Sequence, residues 1–271
     1  MKKVGIIGCG NMGMVLVDAI CGLVGNDNVY CYDIEKKKLN IVKEKYKVNI
    51  SNSNKDVVST SEVILVAVKP QQIAEVLKEI KDYLKNHLLI SIAAGVKIST
   101  IEKIVKKEIA IVRVMPNLPL RVSCGVSAIC KNKFCSMEDY NFAKEIFRKK
   151  GVVLEVKEKF MDLITAISGS GPAYIFYISE IIQNIAKKLK LPNKIIEELV
   201  NYTVLGAAKM LTEEKISASE LKNKVASKGG TTERALEVFY SYKLEKIFYK
   251  AIHNAYKRAK ELSDLVDKVG V

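Results

Sequence analysis

The sequence predicts an α/β protein, a doubly wound parallel sheet followed by an all-helical domain, and three observations carry that reading. From Lys3 to about Val156, short β-branched runs alternate with amphipathic stretches whose apolar residues recur at three- and four-residue intervals, the pattern of buried parallel strands covered by helices. Beyond about Lys157 the strand signal stops and only helical periodicity remains. Where the first strand meets the first helix stands Gly8-Cys9-Gly10-Asn11-Met12-Gly13, a glycine pattern with strict positional demands.

Taken in order, strands are expected at Val4–Gly8, Asn28–Asp33, Val63–Val68, Leu88–Ile92 and Ala110–Val114. Helices are expected between them at Met12–Leu23, Lys36–Tyr46, Gln72–Leu84 and Ser99–Lys106. A weaker β-α-β tail, Gly125–Cys130, Met137–Lys149 and Val152–Val156, closes this half, so residues 1–157 form one domain and 158–271 the other. In the second domain Pro172–Lys190, Pro192–Leu211, Ser219–Ala226, Thr232–Tyr242 and Leu244–Leu262 each carry a wide apolar stripe, with Pro192 where a first-turn proline is tolerated. The helix after Pro172 sets Tyr174, Ile175, Phe176, Ile178, Ile181, Ile182 and Ile185 on nearly every side, which demands burial all round. The rest of the helical half could wrap it as a bundle, but a second copy of the chain would cover it more completely, so an interlocked homodimer is expected.

Composition narrows the function classes. The net charge of +14 is almost all lysine, because arginine stands only at Arg113, Arg121, Arg148, Arg234 and Arg258. Lysine dispersed among Glu and Asp along amphipathic segments is a solvated surface that mildly attracts anions, and no nucleic-acid partner is expected. The six cysteines form no CxxC pair and only His87 and His253 could help them, so no metal site is expected and the thiols read as free. Met1-Lys2-Lys3 before apolar residues has the look of a signal peptide, but Gly8, Gly10, Asn11 and Gly13 interrupt the apolar core. Glu180, Gln183 and Asn184 break the longest apolar run, so the chain is expected to be cytoplasmic and to span no membrane.

The glycine pattern follows a strand and opens a helix, the context of a dinucleotide-binding, Rossmann-like fold. Gly8 makes the tight turn, Gly10 lets the backbone approach a pyrophosphate, Gly13 lets helix and strand pack closely, and the helix N-terminus faces the phosphate charge. Asp33, at the end of the second strand, stands where such folds meet the adenosine ribose. A carboxylate there accepts from both ribose hydroxyls and repels a 2′-phosphate by about 4 kcal/mol at 4 Å and an effective dielectric near 20, which favours NADH. Lys36, Lys37 and Lys38 are near enough to offset that repulsion, or are simply an exposed helix start. Two further strand ends, Ala67-Val68-Lys69-Pro70 and Ser91-Ile92-Ala93-Ala94-Gly95-Val96, should border the cofactor, unless they are no more than turns.

Arg113-Val114-Met115-Pro116-Asn117-Leu118-Pro119 follows the fifth strand, where two prolines around an Asn fix a loop that either faces the reactive ring or links two elements through an Asx turn. In the helical half, Ser168-Gly169-Ser170-Gly171-Pro172-Ala173-Tyr174 and Ser227-Lys228-Gly229-Gly230-Thr231-Thr232 place glycines and hydroxyls directly before helices. Such segments present backbone N–H groups to a carboxylate, or else cap the helix through Ser170 or Thr231.

In this order and spacing, the glycine turn, AVKP at Ala67–Pro70, SIAAGV at Ser91–Val96, RVMPN at Arg113–Asn117, GSGPAY at Gly169–Tyr174 and GGTT at Gly229–Thr232 resemble pyrroline-5-carboxylate reductase across nearly the whole chain. The resemblance implies a Rossmann-like doubly wound parallel sheet followed by an all-α dimerisation domain, and reduction of Δ1-pyrroline-5-carboxylate to L-proline with NADH or NADPH. It implies that Ile7, Gly8, Cys9, Gly10, Asn11, Met12 and Gly13, with Asp33, Asn54, Ala67, Val68, Lys69, Pro70, Ala93, Ala94 and Gly95, line the dinucleotide. Met115 and Pro116 join that set from the loop after the fifth strand, and Asn117 is assigned to the substrate. Gly229, Gly230, Thr231 and Thr232 are implied to hold the substrate carboxylate, with the catalytic Thr232 hydroxyl near the imine nitrogen and Glu158 close by. Interlocked dimers, assembled as a ring of five, are implied as well.

The chain departs from the family pattern at Lys228, usually proline, at Leu118, usually threonine, and at Asp33, usually a small polar residue. Two other readings remain at this stage: a catalytically silent dinucleotide sensor, and a related reductase of hydroxy acids or imines.

Overall fold

The computed structural model describes residues 1–269. Its sheet has eight strands in the order β3-β2-β1-β4-β5-β6-β7-β8: β1 (Val4–Ile7), β2 (Val29–Tyr32), β3 (Asn49–Ile50), β4 (Val63–Val66), β5 (Leu88–Ser91), β6 (Ala110–Pro116), β7 (Gly125–Lys131) and β8 (Gly151–Glu155). Every pairing is parallel except β6 with β7. That exception has a simple cause. Only the short 3₁₀ turn Leu118–Val122 joins the two strands, and a parallel crossover needs a dozen residues or more.

The helices of this part are α1 (Asn11–Val24), α2 (Lys36–Tyr46), α3 (Asn54–Thr60), α4 (Ile73–Ile80), α5 (Ile98–Val105) and α6 (Met137–Arg148). Strands β1, β4 and β5 are buried at every position, because helices cover both faces. The two-residue period of a strand sorts their side chains: Leu65, Leu88 and Ile90 join Leu16, Val17, Ile20 and Phe147 on one face, while Ile64, Val66 and Leu89 join Leu77, Ile80 and Ile101 on the other. Two elements exceed the expected pattern. β3 is only two residues long, and α3 forms despite Val57, Val58 and Thr60 because the Ser53 side chain caps it by accepting from the Asp56 N–H at 3.1 Å.

A short α7 (Met161–Ile164) runs into a π-helical turn, Thr165–Gly169, before α8 (Gly171–Lys188), α9 (Asn193–Glu213), α10 (Ala218–Val225), α11 (Thr231–Ser241) and α12 (Leu244–Val269). The described residues form two compact units: residues 1–170 together with 255–269, and residues 171–254. The expected boundary at Lys157 precedes Glu158, whose carboxylate accepts from Arg113 on β6 and from the Ile98 N–H, so residues 158–170 stay with the sheet.

The smaller unit lacks a core of its own. Among its described residues only Ile196, Val200 and Leu221 are buried, and α8 buries none. Phe176 is 61% exposed and Ile185 50%. Full burial of one such side chain is worth about 1.5–3 kcal/mol, so this much open apolar surface is an interface.

Candidate active site

Register brings the sequence motifs of the sheet unit together. Tyr32, Ile7, Val66, Ser91 and Arg113 form one row across β2, β1, β4, β5 and β6. The residues that follow them, Asp33, Gly8, Ala67 and Ile92 among them, therefore leave the sheet side by side at its carboxyl edge, where open parallel sheets bind ligands. Ala67 N–H donates to the Ile7 carbonyl at 2.7 Å and Gly8 N–H to the Tyr32 carbonyl at 2.8 Å. The glycine turn is thus wedged between its two neighbours.

Each glycine of that turn has a separate steric role. Gly8 sits at φ +98°, and a Cβ there would lie 2.7 Å from the Ala67 carbonyl oxygen. At Gly13 a Cβ would lie 2.1 Å from the Gly8 oxygen, so only glycine lets α1 lie this close to the strand end. At Gly10 nothing stands within 4 Å. That open space lies at the N-terminus of α1, where no side chain caps the free N–H groups of Asn11 and its neighbours. Positive helix-end charge and room for close backbone approach together fit a pyrophosphate.

Asp33 is 9% exposed, and both carboxylate oxygens are held by main chain: Oδ2 accepts from Cys9 N–H at 2.7 Å and Oδ1 from Glu35 N–H at 2.8 Å. Of the nearby lysines, Lys38 is the one drawn in, 2.6 Å from Glu35 and 3.9 Å from Asp33.

Asn54 is buried at the start of α3 with its Nδ2 donating to Glu79 at 2.7 Å, while its Oδ1 has no partner among the described residues. Val68 and Lys69 lead into Pro70 and a 3₁₀ turn, and Ala93, Ala94 and Gly95 make a turn in which Gly95 adopts φ +76°.

Beyond β6, Asn117 is spent on structure. Its Nδ2 donates to the Ser168 carbonyl and hydroxyl, both at 3.2 Å, and its Oδ1 accepts from Val126 N–H at 2.9 Å. It ties β7 to the π-helical turn, a local geometry that recurs at functional sites. Met115 packs against that turn too, where a Cβ on Gly169 would lie 2.6 Å from the Met115 methyl. Glu158 accepts from the buried Arg113 at 3.0 Å and from Ile98 N–H at 2.7 Å, and Asp162 lies 3.5 Å from the same guanidinium. Both residues therefore brace the strand ends; Asp162 did not stand out in the sequence, and Ser168 did so only as the start of a glycine-rich segment, without its link to Asn117.

Gly229–Thr232 belongs to the other unit. Gly229 adopts φ +73° with open space around it, and its N–H donates at 2.6 Å to the Glu233 carboxylate. The turn thus presents main-chain N–H to a carboxylate. A Cβ at Gly230 would collide with Ser227 Oγ at 2.4 Å, and Gly230 itself is the N-cap residue of α11, without a side-chain cap. Thr231 is the first helical residue and does not cap.

Other chemistries find little support in this chain's groups. Burial pushes the Cys21 and Cys135 thiols up to about 11 and Cys130 to about 12, so they stay protonated near neutrality. No three His, Cys, Asp or Glu side chains cluster as a metal would need, and no helix is long and apolar enough to cross a membrane, among the described residues. His87 precedes β5 at the amino edge of the sheet, opposite the site, and accepts from Lys85 N–H; burial pushes its pKa down. His253 stacks on Tyr249 at 5.6 Å.

Comparison with known proteins bears on both parts. Residues 158–262 match the family described as pyrroline-5-carboxylate reductase dimerisation, and residues 3–95 the family described as NADP oxidoreductase, coenzyme F420-dependent. The pyrroline-5-carboxylate reductase of Methanosarcina acetivorans is 36% identical over 264 residues, 96% of this chain and 98% of its own. That of Aquifex aeolicus is 33% identical over 260 residues, 96% and 97% of the two chains. Among solved structures, a pyrroline-5-carboxylate reductase from Coxiella burnetii superposes with a TM-score of 0.90 at 39% identity, over 97% of this chain and 98% of that one. The Plasmodium falciparum pyrroline carboxylate reductase with NADP bound gives 0.87 at 32% identity, again over 97% and 98%.

Proposed function

The chain belongs to the pyrroline-5-carboxylate reductase family, and from that premise we propose how its residues carry out the reaction and which dinucleotide they prefer. It reduces Δ1-pyrroline-5-carboxylate to L-proline with a reduced nicotinamide dinucleotide. The observation that carries the dinucleotide assignment is the glycine turn, where open space at Gly10 adjoins an uncapped helix N-terminus.

Ile7 to Gly13 hold the pyrophosphate, Asp33 meets the adenosine ribose, and Asn54, Ala67–Pro70, Ala93–Gly95, Met115 and Pro116 line the rest of the cofactor. NADH is preferred, because Asp33 is buried and Lys38 is already shared with Glu35. Gly229, Gly230, Thr231 and Thr232 hold the substrate carboxylate at the N-terminus of α11, in a turn whose Gly229 N–H already holds the carboxylate of Glu233 and whose Gly230 N–H closes the turn onto the Ser227 carbonyl. Thr232 places its hydroxyl near the imine nitrogen, with Asn117 and Glu158 bracing the segments around the substrate.

When bound, the reduced nicotinamide supplies the hydride that C5 of the ring accepts, while the ring nitrogen takes a proton. A cyclic imine is basic enough to arrive partly protonated near neutral pH, so the chain need offer no strong acid. Its contribution is orientation: fixing the carboxylate and the imine nitrogen leaves one face of C5 open at near-contact distance, worth several kcal/mol of the barrier. A hydroxy-acid reductase would instead need a histidine or lysine acid at the site; both histidines are engaged elsewhere, and no buried lysine stands near Gly169–Tyr174 among the described residues.

The helical residues make a homodimer, and we further propose that five dimers close into a ring. Mass measurement in solution decides that number. The activity is read from the absorbance of NADH or NADPH consumed with pyrroline-5-carboxylate. Turnover with a higher kcat/KM for NADH is expected; loss of neither dinucleotide would leave a silent sensor, and preference for NADPH would overturn the role given to Asp33.

A further inference from the structure

The end of α12 is fastened to the turn after β5 and the start of α5 by contacts 167 to 170 positions apart in the chain. Ser263 is completely buried, and its hydroxyl donates to the Gly95 carbonyl at 2.7 Å. Backbone meets backbone there as well, since a Cβ on Gly95 would lie 3.3 Å from the Ser263 nitrogen. One turn of helix further on, Asp267 takes the Lys97 ammonium at 2.6 Å and accepts from the Thr100 hydroxyl, while Asp264 lies 3.3 Å from Lys97.

The peptide unit joining Gly95 to Val96 is therefore gripped at both ends. Its carbonyl is taken by Ser263 and its N–H donates to the Ala93 carbonyl at 3.3 Å. Gly95 stands at φ +76°, which glycine reaches without steric cost, so the conformation alone does not fix the plane of the next peptide. Pinning this peptide sets the direction of Ala93, Ala94 and Gly95 as they leave the carboxyl edge of the sheet. Apolar packing alone would hold the helix on the turn but would not choose the orientation of one peptide plane; a directional, buried hydrogen bond does.

We propose that Ser263 is a positioning residue for the dinucleotide, acting through the Gly95 carbonyl, with Asp267 holding the end of α12 in register through Lys97 and Thr100. The inference rests on the assignment of Ala93–Gly95 to the dinucleotide site.

The test is a titration of the substrate-free protein with NADH, followed by fluorescence, alongside steady-state kinetics. Ser263→Ala should weaken NADH binding roughly fivefold, the scale of one lost neutral hydrogen bond, and leave kcat at saturating NADH and the KM for the imine within about twofold. Exchange of the Val96 amide hydrogen should quicken, because its peptide is no longer held at the carbonyl. Asp267→Asn, at a half-buried position where folding is not at stake, should weaken NADH binding in the same sense. A Gly10→Val control separates the two ideas. If it leaves NADH binding intact, the dinucleotide assignment itself is wrong. If it abolishes binding while Ser263→Ala and Asp267→Asn bind NADH as the parent does, the positioning role alone is wrong, and the same holds if the Ser263 variant loses kcat with its NADH affinity unmoved.

Discussion

Asp33 holds the glycine turn directly: its Oδ2 accepts the Cys9 N–H at 2.7 Å, so the residue proposed to meet the ribose also fixes the loop proposed to meet the pyrophosphate. Replacing Asp33 with Ser therefore has two effects of opposite sense. Loss of the carboxylate removes a repulsion on the order of 4 kcal/mol at 4 Å, before solvent screening reduces it, and NADPH gains. The shorter, neutral serine hydroxyl is a weaker acceptor for the Cys9 N–H than the carboxylate, and both dinucleotides bind less well. The expected outcome is a kcat/KM ratio of NADPH to NADH raised about tenfold or more, with NADH itself bound more weakly. Unchanged NADH affinity would show that the Cys9 contact contributes nothing to the site.

Gly13 and Gly10 separate fold from ligand. An added methyl at Gly13 meets the Gly8 carbonyl oxygen at 2.1 Å, backbone against backbone, so α1 must shift. Gly13→Ala should cost about 1–3 kcal/mol and lower Tm by roughly 2–10 °C. At Gly10 the methyl meets nothing within 4 Å, so Gly10→Ala should melt close to the parent protein and lose dinucleotide affinity. Paired thermal melts and NADH titrations check both; equal losses of Tm in the two variants would contradict the division of roles.

The sheet and its glycine turn were legible because each rests on a local demand. Val63–Val66 is apolar on both faces and reads as a buried strand without further information, and the three glycines each answer a different steric need. Asn49–Ile50 was not legible, being two residues long, nor was α3, whose β-branched residues obscure a helix that Ser53 caps. In the site, the strand-end motifs announced themselves, whereas the Ser263 hydroxyl and Gly95 carbonyl meet 168 positions apart with no shared pattern to connect them. The antiparallel β7 is a matter of connection length, which strand propensity does not report.

Thr232 is the second residue of α11, beside a Gly229 N–H that already binds a carboxylate. Thr232→Ala should raise the KM for the imine and lower turnover, each by roughly two- to tenfold, the range for one hydrogen bond of about 0.5–1.5 kcal/mol. NADH affinity should not move, and Thr232→Ser should restore much of the loss. Wild-type kinetics in the alanine variant would remove Thr232 from the reaction.

The fastening of α12 also carries a pH signature whose sign follows from its two charged groups. Burial works to raise the Asp267 pKa, but the hydrogen bonds from Lys97 and Thr100 and the lysine charge outweigh it, so the carboxyl sits below its ordinary 3.8. Its contribution to stability is therefore complete above about pH 3.8 and is lost as pH falls through the lower folded value. The Asp267 hydrogen bond raises Lys97 above 10.5, so the lysine contribution is complete below 10.5 and is lost as pH rises through the higher folded value. Both groups are partly exposed, so salt screens the pair. The difference in urea midpoint between the parent protein and Asp267→Asn should be flat across the neutral range, narrow in acid below pH 3.8, narrow again in base above 10.5, and shrink with added salt. A difference that persists undiminished at the acid end would mean that Asp267 contributes through packing and not through its charge.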